Sequence, residues 1–308
     1  MKIGIVGNGG IVKQAIQCFK EAEIECTALW CRTRSKGEAI FDKEKVYVEY
    51  DAFLQQTTFD TVYIGVINSE HYHFAKLALE AKKNVIVEKP FATTYEEAKE
   101  LVDLAYKEGV YLFEAILSRY SPIYRKLPQY LPQLGNIKLI QANYSQYSSR
   151  YDAYLKGEVL PAFDPKLQGG ALNDLNVYNI HFVVGLLGRP LEVHYYSNKG
   201  FNGVDTSGTL ILTYSTCLAV CTAAKDSRST CGTLIQGDKG TIEIHSRPGV
   251  LENVSLNRNE EIKGNDVHPM TQEFIVMQDI LGKQDYKTMK KWLEDTLITM
   301  EVLEQARV

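Results

Sequence analysis

The sequence has no long apolar run. Its first residues, Met1-Lys2-Ile3-Gly4-Ile5-Val6-Gly7, carry one charge and a short apolar stretch cut by glycine, and nothing further along nears the ~18 apolar residues of a membrane span. A secretory leader and a membrane anchor are therefore not expected, and the cytoplasm is the expected location. Cysteine is sparse and unpatterned: Cys18, Cys26, Cys31, Cys217, Cys221 and Cys231 show no C-x-x-C spacing and read as reduced packing thiols. Histidine offers one close pair, His71 and His73, with no H-E-x-x-H motif and no mixed cysteine-histidine cluster, so no metal site is expected. Basic runs are missing too. With a formal net charge of -4 and dispersed Lys and Arg, the chain has no field for phosphate backbones, and nucleic acid is not an expected partner. Neither an internal repeat nor a low-complexity segment is present.

What is present is ordinary for a folded, water-soluble chain: 45% hydrophobic and 23% charged residues, in a length of 308 that favours two domains over one core. The first third alternates short apolar runs with helical patterns, the signature of a parallel sheet with crossover helices. Lys2 to Val6, Ile24 to Trp30, Val46 to Val48, Thr61 to Val66, Asn84 to Glu88 and Val110 to Phe113 read as strands. Between them Val12, Ala15, Ile16 and Phe19 recur at helical spacing, as do Phe74, Leu77, Ala78 and Ala81, and Ala98, Leu101, Val102 and Ala105. Thr94 with Glu97 suits a capping box before the last of these, and Gly109 suits its end.

From about Arg119 the character changes. Pro122, Pro128 and Pro132 punctuate a connecting segment, after which most runs read as strands joined by short turns: Ile137 to Tyr147, Leu191 to Asn198, Ser207 to Tyr214, Leu218 to Ala224, Gly232 to Gln236 and Thr241 to His245. Helical patterns interrupt them at Gly170 to Leu187, Met270 to Leu281 and Thr288 to Ala306. The expected architecture is α/β: a Rossmann-like domain over residues 1-119, then an α+β domain over 120-308 with a large, mainly antiparallel open sheet.

The first strand leads straight into Gly7-Asn8-Gly9-Gly10-Ile11-Val12 and a helix. In a Rossmann unit Gly7 allows the tight turn, Gly9 lets the backbone approach the pyrophosphate, and the helix N-terminus supplies free N-H groups and a favourable dipole. Val12 stands where a third glycine or alanine is usual, which predicts slightly looser packing of helix on strand. The second strand ends Trp30-Cys31-Arg32-Thr33-Arg34-Ser35-Lys36 without the carboxylate that binds NAD ribose hydroxyls. Arg32, with Arg34 or Lys36, suits a 2'-phosphate instead, so NADP(H) is expected and NAD(H) is the alternative. A solvated basic turn is the plainer explanation of the same residues. After the fourth strand Asn68 and His71 either touch the cofactor or cap the next helix.

Asn84 to Val87 runs into Glu88-Lys89-Pro90, which puts a lysine at the carboxyl end of a central strand. Hydride transfer between an alcohol and a nicotinamide develops charge on the substrate oxygen, and an ammonium within hydrogen-bond reach stabilises it. A structural Glu88 to Lys89 charge pair is the alternative. Together with the glycine turn, this Glu-Lys-Pro resembles the Gfo/Idh/MocA family, in which the lysine is catalytic. Asn68-Ser69-Glu70-His71 and Phe91-Ala92 extend the likeness over residues 1 to 120. Gly169-Gly170-Ala171-Leu172-Asn173-Asp174 resembles the family's second signature, and the residue four later, often histidine, is here Tyr178, as in the branch of glucose-fructose oxidoreductase and dimeric dihydrodiol dehydrogenases.

A helix over this segment places Asp174, Tyr178 and His181 on one face. The resemblance then implies Lys89, Asp174 and Tyr178 as the catalytic set, with Tyr178 exchanging the alcohol proton and Asp174 orienting substrate or lysine. Gly7, Asn8, Gly9, Gly10, Ile11, Arg32, Lys36, Asn68, His71, Glu88, Lys89 and Arg119 are the expected cofactor contacts. Arg119 lies in a Glu114-Ala115-Ile116-Leu117-Ser118-Arg119 segment that either lines the crevice or forms a hinge salt bridge. Tyr147 to Tyr151 is a candidate for the substrate side. The expected activity is oxidoreduction of a secondary alcohol of a sugar, a sugar derivative or a cyclic diol, in a homodimer or homotetramer. A non-catalytic NADP(H) sensor and a methyltransferase are the competing readings, and each leaves residues of the catalytic set unexplained.

Overall fold

A computed structural model describes residues 1-307. Six strands form the first sheet: β1 (Lys2–Val6), β2 (Glu25–Trp30), β3 (Val46–Tyr47), β4 (Thr61–Ile64), β5 (Asn84–Glu88) and β6 (Leu112–Ala115). They are parallel throughout, in the order β3-β2-β1-β4-β5-β6. Their apolar runs are unbroken because helices cover both faces of such a sheet, and β4 is buried at every residue. The order reverses between β1 and β4, and the carboxyl ends of strands at such a reversal are where open α/β sheets bind ligands. The helix Tyr95–Glu108 starts as its sequence suggests: Thr94 Oγ1 accepts from the Glu97 N-H at 3.2 Å, and Gly109 closes it in the left-handed region at φ 69°.

The chain divides into two compact units: residues 1-115 with 270-297, and residues 116-269 with 298-308. The expected boundary after residue 119 lies close to the observed one after Ala115, but 120-308 is not one block, because 270-297 packs with the first unit. Aromatic side chains draw it there. Phe274 stacks on Phe19 at 3.9 Å and meets Tyr63 edge-on, while Tyr286 stacks on Tyr111 at 4.3 Å and donates its hydroxyl to the Gly109 carbonyl. Met289 Sδ accepts from the Leu112 N-H on the edge strand β6, at 3.5 Å.

The second unit is built on eight strands: β7 (Ile137–Ser145), β8 (Glu192–Lys199), β9 (Asp205–Thr213), β10 (Leu218–Ala224), β11 (Gly232–Gly237), β12 (Thr241–Ile244), β13 (Val254–Leu256) and β14 (Glu260–Ile262). Their order is β14-β13-β12-β11-β7-β10-β9-β8, antiparallel except where β7 meets β10. The two three-residue strands β13 and β14 are absent from the sequence expectation, being too short to show an alternation. One sheet face buries Ile140, Ala142, Leu210, Leu212, Ala219, Cys221 and Ile235. On the other, Leu139, Ile211, Val220 and Leu234 are only half-buried and Leu218 and Tyr196 are exposed. Among the described residues no helix is long and apolar enough to cross a membrane, and no group of three or more His, Cys, Asp and Glu is arranged to hold a metal ion.

Candidate active site

The glycine turn has the backbone its function requires. Gly7 has φ 118°, a region that disfavours a side chain, and its N-H donates to the Trp30 carbonyl at 2.9 Å, tying the turn to β2. The helix Gly10–Glu21 begins after Gly9 with no side-chain cap and no acidic residue in its first turn, so its N-H groups and dipole face outward uncompensated. Side chains added at Gly9 or Gly10 would meet nothing within 4 Å, which leaves room for a diphosphate. Asn8 is half-buried beside them, and Ile11 is exposed in that first turn. Val12 is accommodated from across the turn. A Cβ at Gly65 would lie 2.8 Å from Val12 Cγ2, so a missing side chain after β4 makes the space that the third fingerprint position usually makes. Val12 itself is fully buried.

Beyond β2, Arg32 and Lys36 are exposed, with Lys36 in the short helix Arg34–Glu38. Arg32 Nη2 lies 3.5 Å from the Glu70 carboxylate, an acid that sequence reading passed over because it comes from the segment after β4. That segment, Asn68–Glu70, is a single turn in which Asn68 is half-buried. The following helix, His71–Glu80, has Glu70 at its N-cap, whose side chain makes no capping bond.

His71 is displaced from the expected cofactor contacts. It is buried, with Nδ1 2.8 Å from the Pro90 carbonyl and Nε2 3.3 Å from the Val66 carbonyl. Burial lowers its pKa, against the opposing effect of the two carbonyls. It braces the Lys89-Pro90 turn, whose peptide bond is cis. Glu88 is likewise turned inward: Tyr63 donates to its Oε1 at 2.6 Å, and burial raises its carboxyl pKa. Lys89 itself is half-buried at the carboxyl end of β5. Below them Thr296 donates to Glu114 at 2.8 Å, and Glu273 is fully buried with no hydrogen-bond partner on either carboxyl oxygen. Burial, with the nearby Glu88 and Glu114, pushes the Glu273 pKa well above the carboxylate range.

In the second unit, the expected α-helix over 170-187 is α-helical only at Val177–Leu187, and Leu172–Asn176 is a π-turn. Such turns cluster at functional sites. Asp174 and Tyr178 are both half-buried, and the Tyr178 ring meets Tyr144 edge-on at 5.7 Å. His181 is buried, its Nδ1 3.4 Å from both Arg119 Nη2 and Thr299 Oγ1. Arg119, expected at the cofactor, is 4% exposed and packs inside this unit beside His181.

Distant residues grip the π-turn. Leu172 N-H and the Tyr195 hydroxyl both donate to Asp205 Oδ2, at 2.6 and 2.7 Å, and Arg307 donates to Asn173 Oδ1 at 2.8 Å. Lys225 Nζ lies 2.8 Å from Asp174 Oδ2, a partner that the sequence did not suggest. Next to it the Tyr147 to Tyr151 candidate segment folds into an aromatic stack: Tyr147 meets Tyr151 edge-on, and Tyr154 stacks on Phe163 at 4.8 Å. Tyr147 also donates to Asp152 at 2.6 Å.

The chain's sequence matches the profile of an oxidoreductase family with an NAD-binding Rossmann fold over residues 1–116, and that of the GFO/IDH/MocA C-terminal domain over 132–243. It is 30% identical to scyllo-inositol 2-dehydrogenase (NADP(+)) IolU of Bacillus subtilis, across 100% of this chain and 96% of that protein. A trans-1,2-dihydrobenzene-1,2-diol dehydrogenase of Danio rerio is 31% identical over 75% of this chain and 69% of its own length. In fold it matches KijD10, a 3-ketoreductase from Actinomadura kijaniata solved with NADP and TDP-benzene, at a TM-score of 0.84 and 21% identity over 100% and 97% of the two chains.

Proposed function

The chain belongs to the Gfo/Idh/MocA family and is an NAD(P)-dependent oxidoreductase, and from that premise we propose that it transfers hydride between NADP(H) and a secondary alcohol or ketone of a sugar, a sugar derivative or a cyclic diol. The observation that carries the reading is the open, uncapped helix start at Gly9-Gly10 with an exposed Arg32 beyond β2, which suits a dinucleotide bearing a 2'-phosphate. NADP appears in the name of the Bacillus subtilis relative, and inositol and dihydrodiol in the names of two relatives, which supports the same choice of cofactor and substrate class.

Bound nicotinamide supplies the hydride acceptor or donor. The Gly10-Ile11-Val12 N-H groups hold the diphosphate, Arg32 and Lys36 the adenosine phosphate, and Asn68 the ribose on the nicotinamide side. The Lys89 ammonium stabilises charge developing on the substrate oxygen, Tyr178 exchanges the hydroxyl proton, and Asp174 accepts from a substrate hydroxyl to orient it. We place the protein in the cytoplasm, where its six free cysteines stay reduced. A second copy of the chain covers the half-exposed sheet face of Leu139, Ile211, Leu218 and Val220, giving a homodimer or homotetramer that light scattering would register. A panel of inositols, aldoses and cyclic diols with NADP tests the activity. Nicotinamide reduction by at least one is expected, and tight NADPH binding without turnover on any would instead mark a sensor.

A further inference from the structure

We propose that Lys225 is a positioning residue for the reaction: it holds Asp174 as a fixed carboxylate and ties it to the Pro161-Ala162-Phe163 turn. The inference rests on the reading of Asp174 as a substrate-facing group. Lys225 follows the last residue of β10 and is 2% exposed, so its ammonium has left water and must be compensated by protein. The Ala162 carbonyl accepts at 2.6 Å, Asp174 Oδ2 accepts at 2.8 Å, and the Phe163 ring lies 4.5 Å from the ammonium. Its main chain is pinned on both sides, the N-H donating to the Thr206 carbonyl and the carbonyl accepting from Ser148, each in a bond of 2.8 to 2.9 Å.

The other partner is not buried to the same degree. The Asp174 side chain is 36% exposed, so this ion pair runs from the interior outward and ends on a carboxylate that a ligand can reach. A carboxylate sharing a buried ammonium stays ionised and keeps its rotamer, which suits an acceptor for a hydroxyl and not an acid that cycles its proton. The same ammonium also anchors the 161–163 turn, beside the aromatic stack of Tyr151, Tyr154 and Phe163, so one cation sets both the acceptor and the wall next to it. Asp205, which clamps the Leu172 N-H, and Arg307, on Asn173, grip the same turn at neighbouring positions.

The test compares Lys225→Met, Lys225→Arg, Asp174→Asn and the Asp174→Asn/Lys225→Met pair. Loss of a positioning contact should lower kcat/KM for the polyol on the order of 10- to 100-fold in Lys225→Met. NADPH affinity should stay within twofold, Lys225→Arg should recover most of the loss, and the double variant should be no worse than Asp174→Asn. Losses that multiply in the double variant, or near-normal turnover in Lys225→Met, overturn the proposal. A second readout needs no turnover: in aspartate 13C-carboxyl-labelled protein, the Asp174 resonance should titrate at higher pH once Lys225 is methionine. An unchanged midpoint overturns the proposal even if the wild type reduces no cofactor, an outcome that by itself would count only against the proposed reaction.

Discussion

Replacing Gly65 with alanine tests how this chain carries a valine in its glycine fingerprint. The new Cβ would sit 2.8 Å from Val12 Cγ2 and 3.1 Å from Tyr63 Cε1, both in fully buried residues, where carbon atoms at rest stand about 3.5–4.0 Å apart. Valine in a helix has essentially one χ1 rotamer, so relief must come from moving the helix start away from β4. Overpacking of this kind costs about 1–3 kcal/mol, of which up to about 1 is offset because alanine lowers the entropy of the unfolded chain. A net loss of about 1–2 kcal/mol is expected, with NADPH binding weakened several-fold because the displaced turn holds the diphosphate.

Val12→Ala alone should cost about 1–3 kcal/mol through the cavity it leaves. In the double variant the alanine at position 65 fills part of that cavity, so the two losses should fall short of their sum by about 1–2 kcal/mol. Urea denaturation and NADPH titration of the four proteins give the cycle. Stabilities that add within about 0.5 kcal/mol would refute the idea that Gly65 is empty because Val12 is not.

Changing Lys89→Met should lower kcat by about 10²- to 10⁴-fold and leave NADPH affinity nearly intact, checked by steady-state kinetics beside a binding titration. Arg32→Ala should weaken NADPH by about 10- to 100-fold and NADH far less, since it removes charge-assisted bonds to a phosphate that only one of them carries. Glu273 predicts a pH effect on stability. Its folded pKa lies above the unfolded value, so the stability linked to its proton is complete below the unfolded pKa and is lost as pH rises through the folded one. Glu273→Met should therefore gain stability over the wild type on going from about pH 5 to about pH 8 in urea denaturation, and a gain that stays constant or shrinks would contradict the burial argument.

The features legible in the sequence are those made by neighbours along the chain. The Gly7 turn, the strand ending in Glu88-Lys89-Pro90 and the capped helix Tyr95–Glu108 each follow from a few adjacent residues, and periodicity separates the strands from the helices. What was missed is made by pairs far apart: Lys225 with Asp174 across 51 positions, Thr296 with Glu114 across 182, and Phe274 stacked on Phe19. The return of 270–297 belongs to the same class, because an amphipathic helix shows that it has a partner without showing which. The π-turn at Leu172–Asn176 escaped for another reason. Nothing in the local residue types distinguishes it from an α-helix, and it arises where Asp205, Arg307 and Lys225 take hold of consecutive positions.

The most direct test of NADP(H) dependence is a titration of the wild-type protein with NADPH and with NADH, following Trp30, whose carbonyl accepts from the Gly7 turn. The account predicts binding of both with NADPH the tighter. Tighter NADH would contradict the role given to Arg32, and binding of neither would contradict the dinucleotide site itself.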